Sequence, residues 1–68
     1  MKKIHEETTN LTNKTIIKRY YYNYQNDNTI IIKHIERIGK KDKKIAEMRI
    51  PLENASDVIK RIVAGLNE

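Results

Sequence analysis

Four tyrosines fall within five positions, at 20, 21, 22 and 24, in a chain of 68 residues that has no tryptophan and no phenylalanine. A phenol ring can stack on a nucleobase, and such stacking contributes ~1–3 kcal/mol per base. Basic side chains accompany the rings: Lys18 and Arg19 directly before them, then Lys33, Arg37, Lys43 and Arg49. Cations that meet phosphates beside rings that meet bases form a surface suited to a single strand of DNA or RNA. The candidate nucleic-acid-binding residues are therefore Lys18, Arg19, Tyr20, Tyr22, Tyr24, Lys33, Arg37, Lys43 and Arg49. The competing use of the three alternate tyrosines is burial, either beneath a helix or in a seam between subunits. In that case Tyr21 and Arg19 are left for the surface.

The net charge of +5 is unevenly distributed. Lys2 and Lys3 cancel Glu6 and Glu7 near the start, and residues 51 to 68 carry a net −1. Residues 14 to 50 carry +6. Clustered cations attract a polyanion through a salt-sensitive field, and a plain solubilising surface is the bland alternative.

Other chemistry finds little support. His34 and Glu36 stand two apart, and His5 adjoins Glu6 and Glu7, but a structural metal site wants four ligands in a recognisable spacing. Glycines occur only at 39 and 65, which leaves no phosphate-cradling loop, and Ser56 is the sole serine. No metal, cofactor or small-molecule substrate is expected, and the chain does not read as an enzyme. With no cysteine, no disulfide can staple the fold. No stretch approaches the roughly 18 apolar residues of a membrane span, and the lysine-led N-terminus has no apolar core of a signal peptide. A soluble protein is expected, cytoplasmic or associated with the nucleoid.

The elements that must position these residues are one small domain. Residues 1–13, polar and aperiodic through "TTNLTNK", form a flexible tail or at best an edge strand; residues 14–68 form the domain. The β-branched and aromatic run "TIIKRYYYNY" (15–24) reads as a strand, "QNDN" (25–28) as a turn, and "TIIIKHIERI" (29–38) as a second strand. "GKKDK" (39–43) reads as another turn, and "KIAEMRI" (44–50) as a third strand closed by Pro51. Ala55, Val58, Ile59, Ile62, Val63 and Leu66 then trace one continuous stripe of a helix, with Asn54 as its N-cap and Gly65 loosening its last turn.

The expected fold class is α+β: an antiparallel sheet of three to four strands followed by one C-terminal helix packed on one face. Strand parity then divides the side chains. Ala46, Met48 and Ile50 are expected to face the helix, and Lys33, Arg37 and Arg49 the open side. Tyr20, Tyr22 and Tyr24 share one face and Tyr21 lies on the other; the three are expected on the open face as a stacking platform.

From residue 14 to residue 64, the order of features resembles the PUR repeat of the Pur-alpha-like single-stranded nucleic-acid binders. The resemblance rests on the aromatic strand "KRYYYNY", on "IIKHIERIGKKDKK" as a strand running into a basic loop, and on "MRIPLENASDVIKRI" as strand, proline and amphipathic helix. Whirly-type folds share the strands-then-helix plan. The resemblance implies a four-stranded sheet crossed by one helix, homodimerisation of a single-repeat chain, and binding of DNA or RNA on the sheet through basic and aromatic side chains. The fourth strand would come from residues 1 to 13. A three-stranded sheet would look more like small domains that insert a sheet into the DNA major groove.

The function expected is thus binding of single-stranded DNA or RNA by a homodimer, as a regulator of transcription or an accessory of genome maintenance. A duplex-DNA-binding regulator of viral or mobile-element origin is the nearest alternative. A protein-interaction module, such as an inhibitor that covers a nucleic-acid site on another protein, is the alternative from a different class.

Overall fold

The computed structural model describes residues 2–23 and 28–66. Four antiparallel strands, β1 (Lys2–Asn10), β2 (Thr15–Asn23), β3 (Thr29–Ile38) and β4 (Lys41–Pro51), lie side by side in sequence order. A 3-10 turn (Leu52–Asn54) leads into one helix, α1 (Asp57–Leu66). The α+β plan of a sheet followed by a C-terminal helix is therefore the fold of this chain.

β1 arises from a stretch whose polar residues gave no alternation. It is an edge strand with most of its residues exposed, so nothing selects apolar side chains on alternate positions. The turn between β3 and β4 is tighter than the five residues "GKKDK" suggest. Gly39, at φ 63, supplies the left-handed conformation of a two-residue connection, and β4 begins at Lys41. The turn expected over residues 25–28 lies largely outside the described residues. Its last member, Asn28, also has positive φ (52), which asparagine tolerates better than most side chains.

The helix starts later than Asn54. Pro51 and the 3-10 turn carry the chain past that residue, and the backbone N–H of Ile59 bonds instead to the Ser56 hydroxyl oxygen at 3.4 Å, the position of an N-cap contact. Gly65 lies in the last described turn of α1. Only part of the apolar stripe is buried: Ala55, Ile59 and Val63 are, and Ile62 is half-buried, whereas Val58 and Leu66 are 54% and 44% exposed.

The helix-side core joins Ala55, Ile59 and Val63 to Tyr22, Ile30 and Ile32, with Ile4, Tyr20, Ile50, Leu52 and Ile62 at its margin. That core takes Ile4 from β1, Tyr22 from β2, Ile30 from β3 and Ile50 from β4, so α1 lies across all four strands where β2 ends and β3 begins and leaves the other half of that face uncovered. Beyond it Lys18, Ile38, Lys41, Lys43 and Ala46 are exposed.

Candidate nucleic-acid interface

The strand register resolves the face opposite the helix into four cross-strand rows. The first holds Lys3, Tyr21, Ile31 and Arg49; the second Glu6, Arg19, Lys33 and Glu47; the third Thr8, Ile17, Ile35 and Lys44; the fourth Asn10, Thr15, Arg37 and Asp42. Strands stand about 4.8 Å apart and rows about 7 Å, so adjacent side chains reach one another.

Four of the nine sequence candidates share this face: Arg19, Lys33, Arg37 and Arg49. Tyr20 and Tyr22 do not, which corrects the expectation of a three-ring platform. Tyr22 is 4% exposed within the helix-side core, and its hydroxyl donates to Asn28 Oδ1 at 2.6 Å. Tyr20 lies at the edge of that core, tilted against the His5 ring at 5.4 Å, and its hydroxyl donates to Glu7 Oε1 at 2.8 Å. Burial and then the Glu7 hydrogen bond push the Tyr20 phenol up to about 12, so it stays a neutral donor across the physiological range. Tyr24 lies outside the described residues. The physical reason for the correction is parity: the helix needs large apolar partners at the end of β2, and the even positions supply two rings where the odd ones supply one.

Lys18 and Lys43 are likewise on the helix side, in its uncovered half, opposite His34 and Glu36 respectively. For Lys43 the cause is a β-bulge. Between the pairs His34↔Ala46 and Ile35↔Lys44, β4 contains one extra residue, Ile45. Regular alternation would set Lys43 beside Arg37. The inserted residue shifts the phase, so that Asp42 takes that place and Lys43 turns to the other face. An analogous irregularity between Lys3 and His5 lets Ile4 join the helix-side core while Lys3 stands beside Tyr21.

Tyr21 is the ring that the open face presents. It is half-buried, and the Lys33 ammonium sits over it, 4.8 Å from its centre. Sequence parity could have nominated Tyr21 and Lys3 as partners of Lys33 only once the helix side was known. Ile17, Ile31 and Ile35 are buried (2%, 1% and 6% exposed) on a face that carries no helix. Their cover is the long side chains around them. Arg19 donates to Glu6 on β1 at 2.9 Å and lies 4.0 Å from Asp42 on β4, so its reach spans β3 and screens the isoleucines beneath.

Acids accompany the arginines closely. Asp42 takes a two-point contact from Arg37, Nε at 2.6 Å and Nη2 at 2.9 Å. These bonds hold the Asp42 carboxyl below its ordinary range and raise the Arg37 guanidinium. Glu6 is lowered by its bond from Arg19, with Lys3 adding to the effect from 3.6 Å. Lys44 pairs with Glu47 at 3.4 Å. Arg49 is exposed and stands opposite Ile31, next to the Tyr21 row neighbour.

Among the described residues, no group of three or more His, Cys, Asp or Glu is placed to hold a metal ion. No described helix is long and apolar enough to cross a membrane. A recess of about 510 Å³ near the start of α1 is lined by Asn28, Pro51, Leu52, Glu53 and Lys60, whose two opposite charges leave it without a strong field. Comparison of the chain with protein-family models, with curated proteins and with solved structures finds no match in any of the three.

Proposed function

We propose that this chain binds single-stranded nucleic acid on its open sheet face, with Tyr21 as the stacking ring and Lys3, Lys33 and Arg49 as the phosphate contacts. The observation that carries the reading is the Tyr21 ring on a helix-free face, with four cations in its own row or the next, of which Arg19 is bonded to Glu6 and Lys3, Lys33 and Arg49 are left to meet phosphate. Without ligand, Lys33 occupies the ring face. An exposed cation–π contact is worth ~0.5–1 kcal/mol and a stacked base ~1–3 kcal/mol, so a base displaces the ammonium and Lys33 turns to the adjoining phosphate. A PUR-type sheet surface works by the same pairing of basic and aromatic groups. A role in transcription regulation or genome maintenance accords with such binding.

The chain acts as a homodimer in this reading. Its surface of 5100 Å² exceeds the ~4,500 Å² expected of a compact monomer of its mass, and its radius of gyration of 13.1 Å exceeds the ~11 Å expected for its length. The excess surface is comparable to the ~800 Å² that each partner contributes to a standard interface. Val58 and Lys60 lie about 100° to either side of the buried Ile59. Lys60 borders the recess beside Asn28, so Val58 looks the other way, along the strands toward the uncovered half of the sheet. Two sheets face to face, with both helices side by side between them, would cover Val58, Ile38 and Met48 in each copy and leave both Tyr21 faces outward.

The test is titration of a labelled mixed-sequence single-stranded oligonucleotide. Binding at low salt is expected, with log K falling by about 2 per decade of salt for three phosphate contacts. No binding at low salt would sink the proposal. A second reading rests on the β3–β4 turn, where Lys40, Lys41, Lys43 and Lys44 crowd a hairpin end beyond the helix: a β-ribbon of this kind can enter a DNA major groove. Competition between single-stranded and duplex probes separates the two.

A further inference from the structure

Building on the reading of the open face as a single-strand site, we propose that Glu6 and Asp42 hold Arg19 and Arg37 out of phosphate contact, so that nucleic acid is confined to the Tyr21 end of the sheet.

The two arginines lie on the same face as Tyr21, and by residue type they are the side chains best suited to grip phosphate. Each already gives part of its donor fork, and its charge, to a carboxylate. Arg37 presents its fork to both oxygens of Asp42 at 2.6 and 2.9 Å, and Arg19 stretches between Glu6 at 2.9 Å and Asp42 at 4.0 Å. One carboxylate thus serves two guanidinium groups, and the three side chains close a bracket across β2, β3 and β4.

Side-chain rotation does not open this bracket easily, because backbone register fixes the acids. Asp42 is the direct cross-strand partner of Arg37, and Glu6 of Arg19. A phosphate that displaced Asp42 from Arg37 would still stand within a few ångströms of the displaced carboxylate, since directly paired residues have Cα atoms only about 4.5–5.5 Å apart. The bulge at Ile45 is what installs this arrangement: it puts Asp42 where regular pairing would put Lys43. Nearer Tyr21, Lys33 shares a row with Arg19 but rests on the ring, Arg49 is exposed opposite an isoleucine, and Lys3 meets Glu6 only at 3.6 Å, a looser contact than the 2.9 Å bond from Arg19 to the same carboxylate. The electrostatic footprint is therefore short, one stacking ring and its flanking cations, and not the whole length of the sheet.

The experiment measures affinity of the full chain for an oligothymidine single strand across a salt series. Asp42→Asn removes the acid shared by both arginines; it should tighten binding several-fold and steepen the log K versus log salt slope by about 0.7 per arginine recruited. Asp57→Asn makes the same change in net charge on the helix and should leave the slope unaltered. Arg37→Gln combined with Asp42→Asn deletes the pair at constant charge and should bind less tightly than Asp42→Asn alone and no more weakly than wild type. The proposal is overturned if Asp42→Asn leaves affinity and slope unchanged, if Asp57→Asn reproduces its effect, or if the charge-neutral pair loses affinity. Tyr21→Ala and Lys33→Ala report on the underlying site separately: if both bind as wild type, the site itself is misassigned. If both weaken while Asp42→Asn is silent, the site stands and the confinement fails.

Discussion

Tyr21 and Tyr22 are neighbours in sequence with opposite fates, and the difference sets what each substitution should do. Tyr22 is packed with Ile30, Ile59 and Val63, so Tyr22→Ala should cost ~3–5 kcal/mol of stability by denaturant unfolding, as truncation of a buried aromatic does. Tyr22→Phe keeps the ring and loses the bond to Asn28, for about 1 kcal/mol. Tyr21→Ala should leave stability nearly intact and lower oligonucleotide affinity by about tenfold, the equivalent of ~1.4 kcal/mol of lost stacking. Tyr20 offers a spectroscopic check. Its phenol titrates at about 12 because burial and Glu7 favour the neutral form, so tyrosinate absorbance should show a late component that Tyr20→Phe removes. A raised folded-state value means that this contribution to stability is full below the unfolded tyrosine range and is lost as pH rises through about 12. Little of this division was legible in the sequence. Even and odd positions of β2 are equally mixed, Ile16, Lys18, Tyr20 and Tyr22 against Ile17, Arg19 and Tyr21, and isoleucines in β3 point both ways. The choice is made by where the helix lands, a tertiary fact with no local signature.

At the scale of elements, β-branched composition and turn-forming residues were enough to locate β2 and β3 to within a residue, and 3.6-residue periodicity located α1. β1 escaped because an exposed edge strand has no reason to alternate. The bulge at Ile45 escaped because "KIAEMRI" alternates acceptably in either phase, and a single inserted residue redirects every side chain before it. That one residue decides whether Arg37 faces a lysine or an aspartate. For the helix, Ile59→Ala should destabilise the fold by ~2–5 kcal/mol, whereas Val58→Ala, at a 54% exposed position, should cost well under 1 kcal/mol per protomer when measured on monomer. The contrast in unfolding midpoints tests which part of the apolar stripe the sheet holds.

The whole molecule is an elongated body of 39 × 19 × 18 Å, with its helix over one half of one face and the exposed Lys18, Lys41 and Lys43 beyond it. Sedimentation should report a dimer for the wild type, and Val58→Asp, placing a charge in the proposed seam, should report a folded monomer. A wild-type monomer at tens of micromolar contradicts the paired arrangement without touching the Tyr21 site. Acid should weaken the fold through the carboxylates that bracket the arginines. Glu6, Glu7 and Asp42 all have lowered folded-state values, held down by hydrogen bonds from Arg19, Tyr20 and Arg37 respectively. Their contribution is present above the ordinary carboxylate range and is lost as pH falls through the lowered values, so denaturation midpoints should drop between about pH 5 and about pH 2. The central claim, that single-stranded nucleic acid occupies the helix-free face around Tyr21, is tested most directly by following backbone amide shifts during titration with a short single-stranded DNA at low salt. The largest shifts are expected at Lys3, Tyr21, Ile31, Lys33 and Arg49, with Thr15, Arg37 and Asp42 little moved. Shifts concentrated on Lys18, Lys41 and Lys43, or none at all, would contradict it.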